Sequence, residues 1–285
     1  MAQRRPSYLR VFLTFARNSL VRDTMFRTNF LLQCISSAGW TLMNVGFYLI
    51  VFQHTPLIGP ESGWGKYEFF VFLATTWLIN SLVQTFFMTN ADDYSELIRT
   101  GNLDFVLLKP IDTQFLVSFQ KMDWSSLSTF TAGVILLVVA LWQLTTRPVH
   151  PLSISPWMVG LYLFYLCCGV AIFYSLMISL ASTSIWLGRN QTLYDFWFYI
   201  TNFARYPMEI YNRGWGVPLW GFFTFVVPVL VVVNVPARLL AQPLHPQRSL
   251  SWQLACFALL ATIVSLLASR WVFQRALLSY RSASS

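Results

Sequence analysis

Apolar residues run along this chain in blocks of twenty or so, separated by short polar stretches, and polar positions inside the blocks recur at helical spacing. Runs of that length predict membrane-spanning helices. The first covers about residues 28–52 and the second 67–91. The third covers about 114–144, its start open between Gln114 and Trp124, and the fourth covers 157–187. A clean final block covers 252–274. Between the last two, 191–212 is a weaker apolar helix broken at Pro207. Residues 216–242 are strongly apolar but carry Pro218, Pro228 and Pro236. Before the first block, residues 1–27 hold arginines at 4, 5, 10, 17, 22 and 27. On a helical wheel Ser7, Arg10, Thr14 and Arg17 share one face, and Tyr8, Phe12 and Phe15 the other. That pattern predicts an interfacial helix with its arginines towards anionic headgroups.

Charge constrains the number of crossings. If 191–212, 216–242 and 252–274 all crossed, Arg270, Arg275 and Arg281 would lie outside, against the excess of basic residues expected on the cytoplasmic side. One of the middle two therefore stops short. Letting 191–212 cross, with 216–242 re-entrant from outside, leaves Lys66, Arg147, Arg205, Arg213, Arg238 and Arg248 outside. Letting 216–242 cross instead moves Arg205 and Arg213 inside. The count slightly prefers the second arrangement, and the prolines favour a broken hairpin. Either way the expectation is a single all-α transmembrane domain with six crossings and both termini cytoplasmic.

The polar stretch between the second and third blocks, residues 92–112, reads DDYSELIRTGNLDFVLLKPID. Asp93 with Glu96 three residues on predicts a capping box, each side chain satisfying a backbone donor left unpaired in a first helical turn. Gly101 supplies a left-handed residue to end the helix. The expected element is a charged cytoplasmic helix of about two turns, roughly 10 Å long. It serves either as a loop closure or as a contact for another protein.

Composition fixes the broad class. The 285 residues are 56% hydrophobic and 11% charged, against about 25% charged in soluble domains, so an integral membrane protein is expected. The helical period excludes the alternating pattern of an outer-membrane barrel. The net charge of +8 bears on orientation, because no basic patch with interleaved polar readers accompanies it, and no nucleic-acid partner is expected. Cys34, Cys167, Cys168 and Cys256 sit in apolar blocks as buried free thiols. The Arg-rich N-terminal stretch lacks the short apolar core of a cleavable signal peptide.

Candidate chemistry is sparse. Gly63-Trp64-Gly65-Lys66 resembles a phosphate-binding loop only superficially, since Pro60 stands where the first glycine belongs and Tyr67 replaces the magnesium-binding hydroxyl. No ATP hydrolysis by this chain, and no bound cofactor or metal, is expected. His54, His150 and His245 fall in separate loops. Asp123, Asp195 and Glu209 lie near helix ends, where ion-coupled carriers place acids mid-span. The deep polar residues are neutral. Asn29, Gln33, Trp40 and Asn44 share one face of the first span, and Thr76, Asn80 and Gln84 follow an i, i+4 ladder in the second. They serve as interhelical hydrogen-bond glue, or as the wall of a translocation path at a subunit interface.

Four stretches resemble the permease subunits of type-2 ABC transporters, of the six-span bacterial exporter kind and the branch catalogued as uncharacterised. They are the N-terminal interfacial helix; Leu97-Ile98-Arg99-Thr100-Gly101-Asn102-Leu103-Asp104 running into Leu107-Leu108-Lys109-Pro110; Ala204-Arg205-Tyr206-Pro207; and Val226-Val227-Pro228 leading to Val235-Pro236-Ala237. The resemblance implies an exporter in the bacterial inner membrane, a dimer with itself or a sister permease, and separate ABC ATPase subunits that carry ATP and Mg. It implies that 92–112 is the coupling loop, with Asp93, Glu96, Leu97, Arg99 and Gly101 at the ATPase contact, and that 216–242 is an external re-entrant hairpin. Membrane lipid is a further expected partner. An ion-coupled carrier for hydrophobic compounds, or a membrane enzyme or scaffold, is the alternative.

Overall fold

A computed structural model of the chain describes residues 7–58, 63–148, 151–187, 191–242 and 249–280. Arg4, Arg5, Pro60, His150, Gly188, Arg189, Asn190, His245, Arg248 and Arg281 lie outside the described residues, as does the side chain of Asp195. The regular elements among them are helical throughout: α1 Tyr8–Met25, α2 Arg27–His54, α3 Lys66–Val83, α4 Thr89–Arg99, α5 Leu103–Leu107, α6 Thr113–Phe119, α7 Leu127–Thr145, α8 Pro156–Ser182, α9 Ser184–Leu187, α10 Gln191–Phe203, α11 Val217–Gly221, α12 Val229–Ala241 and α13 Ser249–Ser279.

Of the helices long enough to span a membrane, the one that contains α3 is the most buried. In its most apolar window 78% of residues are buried, against 11% for α2. It is therefore the axis of the bundle, while α2 lies at its edge. Helices α7, α8 and α12 pack on α3. Small residues let the backbones approach, as expected where hydrophobicity alone cannot drive helix association. A Cβ on Gly133 of α7 would sit 3.3 Å from the Ala74 carbonyl oxygen of α3, and one on Gly169 of α8 would sit 2.9 Å from the Val232 carbonyl oxygen of α12.

One end of the bundle is marked by contacts between its connections. Arg147 reaches Glu68 at 2.7 Å, Trp64 Nε1 donates to Glu209 at 3.1 Å, and Glu209 pairs with Arg238 in the last turn of α12. This is the hairpin end. The opposite end, the α4 end, carries α4, α5, α6 and α9 and the close of α13.

Two boundaries differ from those expected of the sequence, and one left open there is decided. First, no new helix starts at Asp93. Helices α3 and α4 join through a π-helical stretch, Gln84–Met88, into a single 34-residue rod, Lys66–Arg99. A capping box is needed only where first-turn donors lack partners, and here the preceding turn supplies them. The short two-turn helix is thus the end of a rod about 51 Å long, well beyond the roughly 30 Å hydrocarbon core.

Second, the third span begins at Trp124. Thr113–Phe119 forms a separate helix capped by Asp112, whose side chain accepts from the Phe115 amide at 3.0 Å. Asp123 then caps the turn Trp124–Ser126 that opens α7.

Third, the helix expected over 191–212 stops at Phe203 after 13 residues, about 20 Å. Pro207 disfavours helical geometry in the residue before it, and 204–211 continue as turns and a single 3-10 turn, Met208–Ile210. Residues 214–226 and 229–241 form a pair bent by 83°, broken at Pro228 with Val227 extended. Glu209, just before the pair, meets Arg238 near its close, so the chain enters and leaves this hairpin at one end of the bundle. Among the described residues five helices are long and apolar enough to cross a membrane, or six if the bent pair counts as one span.

Candidate functional site

The α4 end is built on Asn90. Its buried side chain donates to the carbonyls of Phe86 (2.9 Å), Ser118 (3.0 Å) and Lys121 (2.6 Å), and accepts from the Lys121 amide (2.8 Å). Short side chains that bond distant backbone hold irregular connections in register, and this one clamps the rod to the strap after α6. Asp93 belongs to the same clamp: it pairs with Lys121 at 2.6 Å. It is a tether between the rod and the strap, and not the helix cap that its spacing from Glu96 predicts.

Beyond the clamp the rod projects. Leu97 packs part-buried against the core. Glu96 and Arg99 are exposed and bind each other at 2.6 and 2.8 Å, an i, i+3 pair of little energetic weight. Gly101 has φ +72°, the left-handed geometry that turns the chain from α4 into α5, and this expectation is met. Two residues past that turn escaped sequence reasoning. On α5 and at its end, Phe105 is 68% and Leu108 81% exposed, while Leu103 and Val106 face inward and are buried. The signal was legible in LDFVLLKP, where the apolar residues number more than one helical face can bury.

A second network joins the loop exit to the spans. Arg270 of α13 donates to both carboxylate oxygens of Asp112 (3.0 and 2.5 Å) and to Gln114 (2.8 Å). Gln114 in turn donates to the Tyr174 hydroxyl of α8 (3.0 Å), which also bonds Ser118 (2.8 Å). Burial pushes the Asp112 carboxyl up, but the Arg270 hydrogen bond and the Phe115 and Gln114 amides outweigh it and hold the group below the usual carboxylate range. Sequence reasoning used Arg270 only as a topological charge.

The polar ladders divide. Thr76 is buried and donates to its own helix at Phe72 (3.0 Å), and Asn44 does the same at Trp40 (2.8 Å). Trp40 is exposed, as are Asn29, Gln33 and Gln84, while Asn80 is half-buried. Among the described residues no hydrogen bond joins the two ladders, and α7 packs against both helices, bonding α2 through Ser37 and Thr129 at 2.5 Å. Among the described residues no group of three His, Cys, Asp or Glu side chains is placed to hold a metal.

A membrane bundle with a long projecting rod, a left-handed glycine turn and a broken hairpin can be compared with known families. The family model described as "ABC-2 family transporter protein" matches residues 38–284, most of the chain. The chain belongs to the ABC-2 family of transporter proteins. No curated protein and no solved structure matches it. As an ABC-2 protein it is a multi-pass membrane permease of an ABC transporter, a transporter subunit rather than an enzyme. In this ABC-2 chain Asn234 accepts from the Met208 amide at 3.0 Å at the hairpin end and ties residues 204–211 to α12.

Proposed function

We propose that this ABC-2 permease works as an exporter in a bacterial inner membrane. Its energy comes from separate ATPase subunits, which hold the ATP and Mg and dock on the tip formed by α4 and α5. The observation that carries the reading is the exposed apolar pair Phe105 and Leu108 at the end of a rod too long to lie wholly in hydrocarbon. Exposed apolar side chains among charges suit contact with another protein, and the charges Asp93, Glu96, Arg99 and Lys109 support a tip outside the bilayer. Glu96 and Arg99 then rim an apolar contact whose centre is Phe105 and Leu108. Leu97 and Gly101 hold its shape.

ATPase closure pushes on the tip. The rod carries the displacement through the Asn90 clamp into α3, and the Asp112–Arg270 pair carries it into α13 and, through Tyr174, into α8. Both termini lie on the ATPase side, and the hairpin 214–241 is re-entrant from the outside. Because α2 is little buried within one chain and no hydrogen bond joins its polar ladder to that of α3, the path forms between two permeases, identical or sister, along α2. Exposed Trp40 and the amides Asn80 and Gln84 suit an amphipathic cargo, while Asn29 and Gln33 lie at the end of α2 nearest the strap, at the mouth of that path.

The test is co-purification of the protein with candidate ATPases from the same cell. The expected result is a stable complex that hydrolyses ATP, with no hydrolysis by the permease alone. Transport in proteoliposomes driven by a proton gradient without ATP contradicts the reading.

A further inference from the structure

The elbow between α1 and α2 forms a half-open cavity of about 150 Å³ lined by Arg22, Asp23, Phe26, Asn29, Phe30 and Gln33, room for several water molecules. Its charges are fixed in place. Asp23 accepts from Arg22 Nε (3.2 Å) and, through its other oxygen, from the Trp124 amide (3.2 Å), while Arg22 Nη2 donates to the Met122 carbonyl (2.9 Å). Those bonds leave Arg22 Nη1 without a protein partner. Asn29 and Gln33, one turn apart on α2, are exposed and make no hydrogen bond among the described residues. They stand just past the last charges before the apolar length of α2, at the boundary between headgroups and hydrocarbon. An amide there that finds no acceptor or donor is costly.

We propose that this elbow binds the headgroup of a zwitterionic phospholipid bearing a phosphate and a primary ammonium. The cavity holds one cation and one anion, so it is neutral overall and matches a headgroup that is neutral overall. Arg22 Nη1 and the amides of Asn29 and Gln33 donate to the phosphate oxygens. Asp23, whose oxygens each keep a second lone pair, accepts from the ammonium. Phe26 and Phe30 flank the start of the acyl chains. A free phosphate or an anionic headgroup satisfies Arg22 but sets a negative charge beside Asp23, and a quaternary ammonium has no N–H to give Asp23. The proposal rests on the membrane placement of the ABC-2 family and not on ATPase docking, so the two fail separately.

The test uses the full chain reconstituted in vesicles of equal parts phosphatidylethanolamine, phosphatidylglycerol and phosphatidylcholine, then stripped by detergent and weighed intact by mass spectrometry. The wild type is expected to keep phosphatidylethanolamine in preference to the other two. The double variant N29L/Q33L, whose amides bond no other group of the protein, is expected to lose about tenfold in retention, as is R22Q; a tenfold change corresponds to ~1.4 kcal/mol. Soluble phosphoethanolamine added to the stripped protein is expected to bind far more weakly than the lipid. Equal retention of phosphatidylglycerol overturns the proposal, as does retention unchanged in N29L/Q33L. Soluble headgroup binding as tightly as the lipid overturns the lipid as its source. Disulfide formation between two Gln33→Cys chains in the membrane, with no lipid retained by the wild type, assigns this face to a second copy and also overturns it.

Discussion

Asp112 and Arg270 stand 158 residues apart and meet through two parallel hydrogen bonds of 3.0 and 2.5 Å, joining the exit of the α4–α5 loop to the last span. The side chains are 32% and 43% exposed, so solvent screening limits their stabilisation to about 1 kcal/mol. If the pair transmits movement, its loss weakens coupling more than stability. D112N retains a good helix cap for the Phe115 amide but loses the charge on Arg270's partner. It is expected to leave Tm within a few degrees while transport per ATP hydrolysed falls severalfold. The exchanged double variant D112R/R270D is expected to recover part of that ratio. Because the Asp112 carboxyl is held below its usual range, the pair's contribution is full above the unfolded value of about 3.9 and is lost only as pH falls through the lower folded value. Coupling should therefore show no titration from Asp112 between about pH 5 and 8.

Asn90 should prove a stability residue. N90A leaves the part-buried Lys121 amide and the carbonyls that Asn90 served without that partner, at a cost of roughly 1–3 kcal/mol for each buried group left unsatisfied. Thermal unfolding in detergent is expected several degrees below wild type, with proteolysis newly entering the strap 120–123.

The hairpin depends on close approach at Gly169. A methyl group placed there would lie 2.9 Å from the Val232 carbonyl oxygen, which is backbone and cannot turn aside. G169A is expected to destabilise by about 1–3 kcal/mol, the usual penalty for overpacking. G160A, with nothing within 4 Å of the added atom, should be neutral in the same assay.

The ladders separate path from glue. Asn44 bonds its own helix, so N44L is expected to leave both stability and transport near wild type. Gln84 is exposed in the π-helical stretch and its side chain bonds no protein group, so Q84L is expected to lower transport at unchanged Tm. Equal, unimpaired transport by both would make Gln84 a lipid-facing residue.

Much of this was legible in the chain because membrane length and period are one-dimensional signals. The first, fourth and last spans fall within a few residues of their expected bounds, and Gly101 announced its turn. The capping box at Asp93 misled because a local motif cannot reveal whether a helix arrives from upstream. The four residues D-x-x-E are as compatible with a helix interior, where Asp93 finds Lys121. The Asp112–Arg270 and Asn90 networks could not be read at all, since each partner looks like an ordinary cap, charge or amide until distant segments meet. Phe105 and Leu108 lay in plain view in the loop, but their exposure is a property of how α5 buries Leu103 and Val106.

The central claim is that energy enters through the α4–α5 tip, and the most direct measurement is ATP hydrolysis by the purified permease–ATPase complex carrying F105D/L108D. Both side chains are exposed, so the permease itself should fold and keep its Tm. The account predicts loss of the bound ATPase, or loss of at least about tenfold in the hydrolysis that accompanies transport, a change of ~1.4 kcal/mol. A complex that assembles and couples like wild type would contradict it.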